Sequence, residues 1–123
     1  MKPSEFIKVY NLFDSLVEDL EYNEVEKQLR MTLELCQWKQ SFYVETEPAM
    51  QLGILIFSDV AFYKTEPHLF NLDSSEILEV DVLPFDGEGE HIKIVLNGLD
   101  DVIVLNIQSN EIEWREIKTA DGQ

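Results

Sequence analysis

Residues 13–38 read FDSLVEDLEYNEVEKQLRMTLELCQW, and the fold class turns on this stretch. Its second half alternates, with Leu29, Met31, Leu33 and Leu35 at one parity and Arg30, Thr32, Glu34 and Cys36 at the other. A strand turns successive side chains to opposite faces, so the spacing predicts a strand with one dry face and one wet face. Asn23-Glu24-Val25-Glu26-Lys27 is a polar turn, and the residues before it supply the strand's partner. Residues 4–12 predict a short helix, with Ser4 as N-cap and Phe6, Val9, Tyr10 and Phe13 on one side. Leu16, Val17 and Leu20 prolong that spacing, which leaves open a single helix over residues 4–20. The Asp14-Ser15 pair interrupts it, and the Met31 strand needs a neighbour. The favoured reading is helix or irregular chain to about Leu12, then strand.

Outward from this hairpin the same signals recur. Residues 41–50, with Glu45, Glu47 and Pro48, read as a loop. QLGILIFSDVAFYK at residues 51–64 is apolar at both parities, as for a strand covered on both sides, and Ser58-Asp59 predicts a bulge or kink in its middle. Residues 65–75 form a polar connection. Leu78, Val80 and Val82 then alternate with Glu79 and Asp81, and Pro84 ends that strand. Residues 86–90, DGEGE, are a flexible connection. Ile92, Ile94 and Leu96 lead to the Asn97-Gly98 turn. Residues 102–107 are a second candidate central strand, and Ile112 and Trp114 alternate with Glu113 and Arg115 before a tail expected to fray over residues 119–123. About seven strands with polar turns predict a mainly β chain, an antiparallel β-sandwich or partly open barrel, with a short N-terminal helix.

The chain has 123 residues, which suits one domain with its own core. Its longest apolar run, residues 52–57, is far short of the ~20 residues a spanning helix needs. The N-terminal residues lack the pattern of a secretory leader, and the lone Cys36 has no internal disulfide partner; both favour a cytoplasmic protein. Charge is the extreme property: 25 acidic residues against 9 basic give a formal net charge of −16. Such a surface repels nucleic acid and anionic lipid and attracts basic partners. The acidic residues run from Glu5 to Asp121 without forming a tail, so the charge belongs to the folded surface.

The string Phe13-Asp14-Ser15-x-Val17-x-x-Leu20-x-Tyr22, followed by Leu29-x-Met31-x-Leu33, resembles the opening of small bacterial β-domains of uncharacterised function. Some of these families are grouped with immunity proteins of polymorphic toxin systems. Gly53-x-Leu55-x-Phe57-x-x-Val60 is similar to a further strand of theirs, and the resemblance covers about half the chain. It implies a β-domain that binds and inhibits another protein. Their strand often begins Phe-His-Asp-Ser, whereas here Phe13 directly precedes Asp14, so no functional residue is carried over.

Sites of chemistry are weakly marked. Asp86, Glu88, Glu90 and His91 are close enough in sequence to hold a divalent cation, but the calcium-loop register is missing and a solvated loop is the plainer reading. Cys36, His68, His91 and Asp59 match no nucleophilic signature, and Cys36 is expected to be an inert, half-buried strand thiol. No phosphate-cradling glycine motif or zinc spacing occurs, so no cofactor and no catalytic residue is expected. The aromatics offer more. Trp38, Phe42 and Tyr43, beside Glu45 and Glu47 and with Glu18 and Asp19 on the preceding strand, are the candidate contacts for a basic protein, the rings supplying area and the carboxylates steering. The plainer reading places Trp38, Phe62, Phe70 and Trp114 in the core or at its rim. The expected function is therefore a protein-binding module, in one form an inhibitor of a nuclease-type toxin. The alternatives are a structural domain that forms a homodimer through an uncovered edge at residues 112–117, and a small-ligand domain or enzyme with a pocket in the barrel mouth.

Overall fold

The computed structural model describes residues 1–83, 89–99 and 101–117. A short helix, α1 (Pro3–Val9), precedes eight strands: β1 (Leu16–Asn23), β2 (Gln28–Cys36), β3 (Met50–Ser58), β4 (Phe62–Glu66), β5 (Ser75–Leu83), β6 (Glu90–Asn97), β7 (Val102–Ser109) and β8 (Glu111–Glu116). All pair antiparallel in the order β4-β7-β6-β5-β1-β2-β3-β8, in a sheet that does not close. This is the mainly β, partly open architecture that the alternation predicts. The connection at residues 86–88 and the tail at residues 119–123 lie outside the described residues.

Leu29, Met31, Leu33 and Leu35 of β2 are all buried, and they face Val17, Leu55, Phe57, Ile77, Ile92, Ile94, Leu96, Ile103, Leu105, Ile107 and Ile112 in one core. Each such side chain stabilises the fold by roughly 1.5–3 kcal/mol through removal of apolar surface from water. Phe6 of α1 and Leu12 join the same core. The outer row of β3 departs from the expectation of a strand covered on both sides. Leu52 and Ile54 are only half-buried, and Ile56 is shielded from within the sheet, lying in register between Arg30 of β2 and Glu113 of β8. Long charged side chains beside an apolar residue can cover it with their stems.

Two further expectations are corrected. Ser58-Asp59 is not a bulge inside one strand but a corner between two. Asp59 takes a left-handed conformation, φ +51°, and the chain passes from β3, paired with β2 and β8, to β4, paired with β7. The β7–β8 turn lies against this corner, where the buried Ser109 hydroxyl donates to the Ser58 carbonyl at 2.6 Å. The two turns thus bend together. Helix α1 starts at Pro3 rather than after Ser4; Glu5 reaches back to the Lys2 N–H, and the Ser4 N–H donates to Glu90 Oε1 at 2.8 Å. The helix stops at Val9. Asp14 at φ +68° and its N–H bond to the Ile77 carbonyl then turn the chain into β1, so the single helix over residues 4–20 does not form.

Trp114 is half-buried against the core and lies over Gly53. A Cβ on Gly53 would stand 2.3 Å from its ring, so only glycine admits this approach. Between the halves of the sheet, β1 meets β5 only at Leu16↔Glu76 and Val17↔Ser75, with register shifts at Glu18 and Leu78 on either side. Residues 10–14 run beside β5 at this junction.

Candidate functional site

The junction of β1 and β5 borders an exposed aromatic surface. β2 ends at Cys36 and passes into a single 3₁₀ turn, Gln37–Lys39, followed by the loop over residues 40–49. Two buried glutamines fix this segment. Gln40 accepts from the Asn11 N–H at 2.8 Å and donates to the carbonyls of Asn11, at 2.6 Å, and Cys36, at 2.9 Å. Gln37 donates to the Pro48 carbonyl at 2.7 Å, while its own N–H bonds the Ala49 carbonyl at 2.8 Å. Beneath them the fully buried Ser15 hydroxyl accepts from the Cys36 N–H at 2.9 Å. Buried amides with all these bonds made resist displacement, because moving any one leaves polar groups without partners.

What the clamps hold outward is apolar. Trp38 is 54% exposed, Phe42 45% and Phe13 44%. Tyr10 connects them to the interior, stacking on Phe6 at 4.6 Å between centroids and meeting the edge of Phe42 at 5.6 Å. Lys39 sits among the rings, its Nζ 4.5 Å from the Phe13 centroid and 5.3 Å from that of Trp38, while it pairs with Asp14 at 2.7 Å. Hydrogen bonding to Lys39, and then to Glu76, holds the Asp14 carboxyl below its ordinary range; the bond to Asp14, then burial, pushes Glu76 up. Two carboxyl groups thus share one neighbouring cation. Beside them opens a groove of about 490 Å³ lined by Ile7, Tyr10, Phe13, Leu78 and Val80, with Glu79 at its side.

Of the residues singled out in the sequence, Trp38, Phe42, Tyr43, Glu45 and Glu47 come together on this one segment. Tyr43 donates to the Glu47 carbonyl at 3.2 Å, and the Val44 N–H bonds Glu47 Oε1 at 3.2 Å. Glu18 and Asp19 lie elsewhere, along β1. Glu18 sits at the register shift, where Oε2 accepts from the Ser74 hydroxyl at 3.0 Å and Oε1 is buried with no hydrogen-bond partner among the described residues. Asp19 is exposed opposite Thr32. Trp38 and Phe62 are exposed rather than core residues, because the 3₁₀ turn lifts Trp38 off the end of β2 and Phe62 falls on the outward parity of β4, opposite Gln108. Phe70 and Trp114 do pack against the core. Sequence reasoning missed Phe13, Asp14, Lys39, Gln40 and Glu76 as members of the site. Only Lys39, a lone cation beside a tryptophan in a cation-poor chain, carried a local signal.

The remaining candidates are dispersed. Cys36 is buried rather than half-buried, and burial raises its thiol pKa. His91 bonds Asn106 Oδ1 at 2.9 Å on β6, whereas His68 lies on the exposed loop after β4, where its carbonyl accepts from Thr65. Among the described residues no three metal-ligating side chains converge; Asp86 and Glu88 lie outside them, and Glu90 is engaged with the Ser4 N–H. Among those residues no helix is long and apolar enough to cross a membrane. In comparisons with known proteins, no family model, no curated protein and no solved structure matches the chain.

Proposed function

We propose that this chain is a protein-binding module that docks a basic partner through the surface formed by Phe13, Trp38, Phe42 and Tyr10. The observation that carries the reading is the immobilised exposure of those rings. Three aromatic side chains are held in water by buried Gln37 and Gln40, although exposing them contributes nothing to folding. Aromatic anchors that are already fixed lose little entropy on binding. The net charge of −16, with Asp14, Glu76, Glu45 and Glu47 near the rings, favours a cationic partner and speeds its approach at low salt. A nuclease-type toxin has such a surface, since its own cleft must attract phosphates, and the resemblance centred on Phe13-Asp14-Ser15 favours an immunity protein acting in the cytoplasm. The reading assigns no catalytic step to the chain.

The test is binding to the basic proteins encoded beside its gene, measured from low to high salt. A partner should be found whose affinity falls at least about tenfold with salt and at least about tenfold again in Trp38→Ala or Phe42→Ala, with melting temperatures unchanged. Salt-insensitive binding that both variants retain would sink the proposal. One observation favours a second reading: β8 ends the sheet order, leaving an edge for a second copy. Sedimentation over a wide concentration range decides it, a monomer throughout dismissing the homodimer.

A further inference from the structure

The aromatic surface contains a charge arrangement that specifies its ligand more closely. Glu76 stands in register with Leu16 and the Asp14 N–H bonds the Ile77 carbonyl, which makes the two carboxyl groups neighbours, and Lys39 bonds Asp14 at 2.7 Å. The Lys39 ammonium shows that the rings of Phe13 and Trp38 accept a positive charge above them, because it already lies within 4.5 and 5.3 Å of their centroids. Lys39 also acts on Glu76 through space, but its ammonium is bonded to Asp14. Two carboxylates beside one ammonium leave a unit of negative charge next to exposed aromatic faces.

We infer that Asp14, Glu76 and the rings of Phe13 and Trp38 form a receptor for one arginine side chain of the partner, joining Lys39 at the rings. This rests on the docking surface proposed above and names what it recognises. A guanidinium fits better than a second ammonium, because its planar fork bonds carboxylate oxygens in parallel while its face stacks on an aromatic ring. The adjoining groove beside Leu78 and Val80 extends the specificity. Glu76 and Leu78 are two residues apart on β5, at its register shift, so the groove begins beside the carboxyl pair. The ligand is therefore a segment with an arginine and a large apolar side chain two residues away.

The probe is the peptide acetyl-Gly-Arg-Gly-Leu-Gly-amide, with citrulline and lysine versions in which only the cation changes. Titrations are followed through the indole N–H resonances of Trp38 and Trp114. The arginine peptide should shift Trp38 saturably and leave Trp114 unmoved. It should bind about tenfold more tightly than the citrulline peptide and more tightly than the lysine peptide, and Glu76→Gln should remove most of that preference. Equal binding of all three peptides, equal movement of both indoles, no binding at millimolar concentration, or an unchanged Glu76→Gln would each overturn the inference. Glu76→Gln keeps the side-chain shape, and its melting temperature reports that the fold is intact. With the natural partner the two proposals separate. Loss of binding in Trp38→Ala but not in Glu76→Gln removes the arginine receptor and leaves the docking surface standing.

Discussion

Two places on this molecule expose apolar side chains, and they are built differently. At the aromatic corner, Trp38 and Phe42 stand on a segment tied down by buried Gln37 and Gln40. Across the sheet, the loops after β4 and β6 expose Leu69 at 84% and Leu99 at 72% around a shallow hollow of about 210 Å³ shared with Pro67, Phe70 and Val102. Two polar bonds within the loop after β4 are long, 3.4 Å from the Thr65 hydroxyl to the His68 carbonyl and 3.5 Å from the Asp73 N–H to the Ser75 hydroxyl. Scattered exposed leucines on loops are ordinary and need no explanation. Exposed rings fixed by buried amides do need one. Solvent exposure alone therefore does not mark a docking surface; what marks it is exposure that the interior holds in place.

The largest expected effect tests the clamp. Gln40→Ala leaves the Asn11 N–H and the Asn11 and Cys36 carbonyls short of a partner, and should cost about 3 kcal/mol in urea unfolding. A cost under about 1 kcal/mol would mean that the corner is no more rigid than the leucine loops.

A smaller effect concerns the carboxyl pair. Glu76 has a folded pKa raised above its ordinary 4.5, so its favourable contribution is complete below that value and is lost as pH rises through the raised pKa. Asp14 is the opposite case. Its contribution is present above its ordinary 3.8 and is lost as pH falls through the lowered pKa. Glu76→Gln should consequently melt slightly higher than wild type near pH 7, with the gap closing toward pH 4. A gap that is constant with pH would dissociate Glu76 from Asp14. The smallest effect belongs to the other region: Leu69→Ser and Leu99→Ser should each change stability by no more than about 0.5 kcal/mol.

Much of the fold was legible because alternation is a direct record of which side of a strand faces the core. The parity of Leu29, Met31, Leu33 and Leu35 places all four inside, and the Asn23–Lys27 turn falls where the polar residues stand. Ser58-Asp59 was misread because a bulge and a corner share the same short polar signal, and only the strands on either side distinguish them. Trp38, Phe42, Tyr43, Glu45 and Glu47 could be collected from sequence because they are neighbours in it. Asp14, Lys39 and Glu76 could not, since their meeting depends on β1 touching β5 through only two residue pairs. Phe13 was hidden by its helical spacing with Phe6, Val9 and Tyr10, a periodicity that continues past the point where the helix stops.

The measurement closest to the central claim sets the two regions against each other in one binding assay. The affinity of the proposed basic partner is compared between the double variants Trp38→Ala/Phe42→Ala and Leu69→Ser/Leu99→Ser, both first shown to be folded. The account predicts a loss of about a hundredfold or more in the first and wild-type affinity in the second. Intact binding in the first with loss in the second would contradict it.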